Sequence, residues 1–170
     1  MIQRPTPAEH AAYFQKYIDL VPDGDFMEVF GENLRQFAGF FHQIPADKID
    51  FSYAEGKWTI KEVVMHLIDT ERIMAYRAMT FLRNDLCNLP SCDEDLYAAN
   101  ADVTNRSLES LITEFSLLRQ SHFYLFQNIS DAAAQRVGTV NNRLISPQAL
   151  AYIMIGHVLH HIKIVEERYL

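Results

Sequence analysis

Apolar residues recur at three- and four-residue intervals through most of this chain, a spacing that gathers side chains on one face of a helix and scatters them on a strand. The clearest stretch is residues 25–43, DFMEVFGENLRQFAGFFHQ, where Phe26, Val29, Phe30, Leu34, Phe37, Phe40 and Phe41 keep that rhythm. Rings at this spacing point to a packed core. Gly31 and Gly39 lower the helix propensity of the stretch, so packing has to hold it. A shorter amphipathic helix is expected over residues 7–20, PAEHAAYFQKYIDL, closed by VPDGD. Thr59 and Glu62 make a T-x-x-E capping box, which predicts a helix over residues 60–84. Another covers residues 105–129, and Ser146-Pro147 supplies an N-cap and a first-turn proline for a last helix ending near Arg168. Four principal helices imply an all-α fold, a four-helix bundle, as a single domain over residues 1–170.

The connections are less regular. Residues 85–103 form the longest, between the second and third core helices, with Pro90 and five acidic residues. A loop of that length in a compact domain is often functional. GTVNNRLISPQ reads as a loop, with a small hairpin as the alternative, because Asn-Asn is a weak turn signal. The chain carries 22 acidic against 15 basic residues, a net charge of −7 that argues against nucleic-acid binding, which needs clustered Lys and Arg. The opening MIQRPTPAEH lacks the apolar core of a secretory signal, and no run approaches the ~20 apolar residues of a membrane span. A cytoplasmic protein with no membrane partner is therefore expected. Cys87 and Cys92 fit neither a disulfide framework nor a C-x-x-C zinc pair and read as reduced thiols. The phenylalanines of residues 25–43 offer more apolar surface than one core needs, which suggests a homodimer.

The feature that bears on function is GHVLHHIKIVEERYL. His157 and His161 are four residues apart, on one face of a helix that is apolar almost all round. Imidazoles in such a wall are costly unless each finds a partner. Two outcomes satisfy them. Each can hydrogen-bond to a carbonyl or carboxylate, the commoner fate of an isolated H-x-x-x-H, or the pair can share a metal ion. Two ligands do not complete a site, because zinc takes at least three from protein. His66, on the edge of the apolar arc of the 60–84 helix, is the third candidate. Three protein ligands with open positions describe a Lewis-acidic site better than a structural one. His10, His42 and His122 lack the patterning and are expected at the surface or the core edge. H-E-x-x-H, Glu-x-x-His on a long helix, G-x-G-x-x-G, P-loop and G-x-S-x-G signatures are all missing.

KWTIKEVVMHLIDTERIMAYRAM resembles the W-[ST]-x-x-[ED]-x-x-x-H-[LI] helix of the DinB-like/YfiT-like superfamily, bacterial metal-binding four-helix bundles. SPQALAYIMIGHVLHHIKIVEERYL is similar to that family's final helix, and LPSCDEDLYAA to a segment between core helices in one of its branches. The likeness spans residues 25–170. It implies a metal triad on His66, His157 and His161, with no ligand role for His160, and a divalent metal, commonly zinc or nickel. It also implies a small-molecule substrate, with hydrolysis or transfer of a low-molecular-weight thiol as the reaction.

A metal held by three imidazoles can acidify water for hydrolysis or hold a substrate thiol as thiolate. Asp69 is either an orienting carboxylate or a solvated helix residue. Trp58 is either pocket wall or helix-end packing, and Arg72 and Arg77 either meet a substrate anion or form surface ion pairs. Glu71 and Glu166 carry no signal of their own. The alternative function is a non-catalytic bundle that binds a partner, its metal site structural or vestigial, since no general base or nucleophile stands out.

Overall fold

The computed structural model describes residues 1–170. Seven α-helices occur in the order α1 (Gln15–Ile18), α2 (Phe26–Phe41), α3 (Ile60–Leu82), α4 (Glu94–Asn100), α5 (Leu108–Gln127), α6 (Asp131–Ala134) and α7 (Pro147–Arg168). Three short strands, β1 (Asn88–Leu89), β2 (Gly138–Val140) and β3 (Arg143–Ile145), form one small sheet in that spatial order. The caps read from sequence set the starts of the long helices. Asp25 accepts from the Met27 and Glu28 amides, Thr59 and Glu62 close their reciprocal box, and Ser146 accepts from Ala149 N ahead of Pro147.

The four long helices α2, α3, α5 and α7 form the bundle, each packed on two of the others: α3 and α2 each touch α5 and α7. Two apolar clusters give their directions. One gathers Phe26 and Phe30 with Met74, Phe81, Phe126 and Ala149–Ile155; the other gathers Phe37 and Phe41 with Ile60–Ile68, Leu108–Phe115 and Val158–Val165. Hence α2 and α7 run one way and α3 and α5 the other, up-down-down-up. Parallel α3 and α5 need a crossover along the bundle, and residues 83–107, with β1 and α4, supply it.

Residues 7–20 depart from the expected continuous helix. They form 3₁₀ turns at Pro7–Glu9 and Ala12–Phe14 and then α1, because His10 and Ala11 are extended. The Glu9 carbonyl accepts from Ser146 N (2.9 Å), and the Arg4 guanidinium donates to the Ile18 and Val21 carbonyls. The first ties the segment to the head of α7, the others fold Arg4 back onto the end of α1, and together they outweigh local propensity. Gly156 makes the contact possible, since a Cβ there would sit 1.9 Å from Tyr17 O. GTVNNRLISPQ takes the hairpin alternative: Asn141 and Asn142 turn with φ of 50° and 61°, the positive pair that a tight β2–β3 turn requires. The Asn88 side chain donates its Nδ2 to Asn142 Oδ1 and accepts at its Oδ1 from Asn142 N, which secures β1 parallel to β2. The crossover is therefore less irregular than its sequence suggests.

The phenylalanines Phe26, Phe30, Phe37 and Phe41 are at most 5% exposed, and Val29, Leu34 and Phe40 pack partly buried against the same clusters. No helix is long and apolar enough to cross a membrane.

Candidate metal centre

Helices α3 and α7 run antiparallel with apolar faces in contact, and this sets His66 opposite the pair on α7. His157 Nε2 lies 3.1 Å from His66 Nε2 and 3.1 Å from His161 Nε2. Ligand atoms of all three rings fall within 4.8 Å of one another. His157 and His161 are buried and His66 is partly buried. Burial pushes His66 down to about 4, against the opposing charge of Asp95. Burial likewise drives His157 and His161 well below the ordinary histidine value, helped by the charges their neighbouring imidazoles would carry. Three neutral rings therefore point ring nitrogens at one place. Each neutral imidazole has one N–H and one lone pair, and a cation among three lone pairs satisfies all of them at once. An all-imidazole donor set without thiolate or carboxylate suits zinc, nickel, copper or iron rather than magnesium or calcium. The buried His161 Nδ1 finds no hydrogen-bond partner, so packing among His66, His157 and His160 orients that ring.

The triad opens onto a cleft of about 480 Å³. One wall is the N-terminal segment with Tyr13 and Tyr17, another is α3 with Thr70 and Ile73, and the floor is α7. The crossover adds Cys92 and Glu94, and the β2–β3 hairpin closes one end. Tyr17 stacks edge-on against His157 and His160, at 5.5 and 5.3 Å between centroids, and burial raises its hydroxyl far above the usual phenol range. Trp58 fills both roles considered for it. Its ring lies 4.8 Å from that of His66 in the cleft wall, while its carbonyl accepts from Tyr169 OH at the helix end. His160 lines the cleft beside the triad but stands outside the converging set.

Other candidates sort differently. Asp69 pairs with Arg72 at 3.6 Å and makes no hydrogen bond to an imidazole. Arg72 also pairs with Glu114, the surface fate, whereas Arg77 lines the cleft. Glu166 is exposed and His42 pairs with Glu109. His10 is more buried than a core-edge residue, at 6% exposure. Both cysteines are free thiols.

A buried polar layer beneath the triad is the feature the sequence did not announce. Arg119, 1% exposed, donates to both Glu71 carboxylate oxygens at 2.7 and 2.9 Å, to Asn33 Oδ1 at 2.7 Å and to the Met154 carbonyl at 3.2 Å. His122 Nδ1 lies 3.1 Å from Glu71. The layer joins α2, α3, α5 and α7 one turn below His157, between the two apolar clusters.

The model of the DinB superfamily matches residues 30–165. This chain belongs to the DinB superfamily. The matched span holds the three imidazoles and the Arg119–Glu71 pair, while the Tyr13 and Tyr17 wall of the cleft precedes it. Among solved structures, YfiT from Bacillus subtilis is similar to this DinB-superfamily chain, with a TM-score of 0.72 and 18% identity over 97% of this chain and 90% of that one. YfiT is described as a probable metal-dependent hydrolase with an unusual four-helix bundle topology. At this identity the likeness establishes the shared fold. No curated protein matches the sequence.

Proposed function

We propose that this DinB-superfamily protein is a metal-dependent enzyme in which His66, His157 and His161 hold one divalent cation, zinc or nickel, at the floor of the cleft. The observation that supports this is the convergence of three neutral imidazoles from two helices, two of them buried and one partly buried, on one point beside a cavity of ligand size. An ion held there supplies Lewis acidity to a molecule in the cleft. The chain's own groups do the rest. The Tyr17 hydroxyl, kept protonated, serves as a hydrogen-bond donor, and Glu94, the sole carboxylate lining the cleft, is the acceptor for a released proton. Trp58 and Tyr17 flank the triad and keep bulk water from two sides.

Hydrolysis of a small molecule is the first reading, in keeping with the description of YfiT. Transfer of a low-molecular-weight thiol to an electrophile is the second, supported by a cleft of about 480 Å³, large enough for two small reactants.

The test is metal analysis of protein purified without an affinity tag and reloaded with zinc or nickel. One ion per chain is expected, lost in His157→Ala. Rates with ester substrates, and with thiol plus electrophile, should collapse on chelation. If wild-type protein retains no stoichiometric ion in metal-replete buffer, the enzyme reading goes and the non-catalytic bundle takes its place.

A further inference from the structure

The cleft carries a charge opposite to that of the molecule. The chain has seven more acidic than basic side chains, yet Lys16, Arg77 and Arg143 line the cleft against Glu94 alone. None of the three has a carboxylate within ion-pairing distance, and of the basic side chains that lack one (Lys48, Lys57, Arg83, Arg136 and Arg168 are the others) only these three line the cleft. Cations left unpaired in an acidic protein, and gathered in one cavity, set up a local field that attracts an anion.

Their placement is specific. Arg77 donates to the Pro90 carbonyl at 2.9 Å, which fixes its guanidinium beside the end of β1. Leu89 pairs with Val140 on β2, and Val140 pairs with Arg143 on β3. The sheet thus brings both arginines to the same end of the cleft. The Arg143 side chain is exposed and its guanidinium makes no hydrogen bond or ion pair within the chain, so its fork of donors is free. Lys16 stands at the other end, 4.8 Å above the Tyr17 ring that packs on His157. The lining is mixed, with Thr70, Ser91 and Glu94 among its polar groups, and Ile73, Leu150 and Ile153 give it apolar surface.

We infer that the cleft binds a small organic anion, its carboxylate or phosphate held by Arg77 and Arg143 and its apolar body laid along α7 towards the imidazoles. Guanidinium forks match both oxyanions bidentately. Lys16 gives a second, weaker point of attraction near the reacting end. The assignment rests on reading the cleft as the substrate site, but it does not need the metal to be bound.

The experiment uses chelator-treated full-length protein, so that no anion is captured by an ion, and titrates three probes by calorimetry: 4-phenylbutyrate, phenyl phosphate and uncharged 4-phenylbutanamide. At least one anion is expected to bind about tenfold more tightly than the amide, the size of one charge-assisted hydrogen bond. The two anionic arms decide between carboxylate and phosphate. Arg143→Ala and Arg143→Glu, on an exposed turn where folding is not at risk, should bring anion and amide to parity, and Arg77→Ala should weaken the anion alone. Equal affinities for charged and uncharged probes, undiminished selectivity in both Arg143 variants, or no saturable binding of any probe overturns the inference. Selectivity for the anion, together with untreated wild-type protein that retains no stoichiometric ion in metal-replete buffer, would sink the metal reading and leave this one standing.

Discussion

Proton binding at the triad has a definite sign. A free histidine titrates near 6.5, while burial lowers His66 to about 4 and His157 and His161 further. Below the free value the unfolded chain therefore binds more protons than the metal-free native state, and stability falls as the pH falls. The contribution is fully present above about 6.5 and is lost as the pH drops towards the folded values, by up to about 1.4 kcal/mol per pH unit for each histidine. Urea unfolding of chelated protein at several pH values between 7.5 and 5.5 should show this slope, reduced in His161→Gln. Identical slopes for the two proteins would show that His161 is not held neutral by the fold. These rings were legible in the sequence because imidazoles four residues apart interrupt a wall of aliphatic side chains. Arg119 and Glu71 were not, since charged helix residues usually face water. The available clue was register: Ile112, Phe115, Arg119, His122 and Phe126 share one helical face, so Arg119 occupies a slot on the buried stripe.

At the scale of elements, the helices read correctly are those whose partners do not change their local preference. Cap, apolar stripe and stop signal agree in α2, α3, α5 and α7, and the ends shift by at most a few residues. The N-terminal segment was misjudged because its conformation is set from outside, by Ser146 at its Glu9 carbonyl and by the flank of α7. Position 156 controls that docking. A methyl group there would meet Tyr17 backbone, which cannot rotate away as a side chain would. Gly156→Ala should therefore cost about 1–3 kcal/mol, despite alanine's better helix propensity, and push the Tyr17 wall away from the cleft. Urea denaturation measures the first effect and the affinity for an apolar probe the second. Unchanged or increased stability would mean that α1 is not pressed against α7 as described.

Across the whole molecule, the up-down-down-up order explains why distant segments build one site. Because α3 and α5 run parallel, the chain must travel the length of the bundle between them, and that crossover brings Cys92 and Glu94 to the cleft mouth. His66 and His157, 91 residues apart, meet only when α3 and α7 are packed antiparallel. The unfolded chain cannot hold the three rings together, so a cation bound by them selects the native state. Such binding adds RT ln(1 + [L]/Kd), about 2.7 kcal/mol at a hundredfold excess of free metal over Kd. For a chain of this size each kcal/mol moves Tm by about 2–4 °C, so zinc or nickel should raise the midpoint by about 5–10 °C. His66→Ala and His161→Ala, which remove one ring from each helix, should lose the rise. His42→Ala should keep it, because that surface ring pairs with Glu109 away from the triad. Scanning calorimetry of the four proteins with and without metal decides the matter: an equal rise in all of them would place the cation on scattered surface groups, and the link between bundle order and metal binding would be broken.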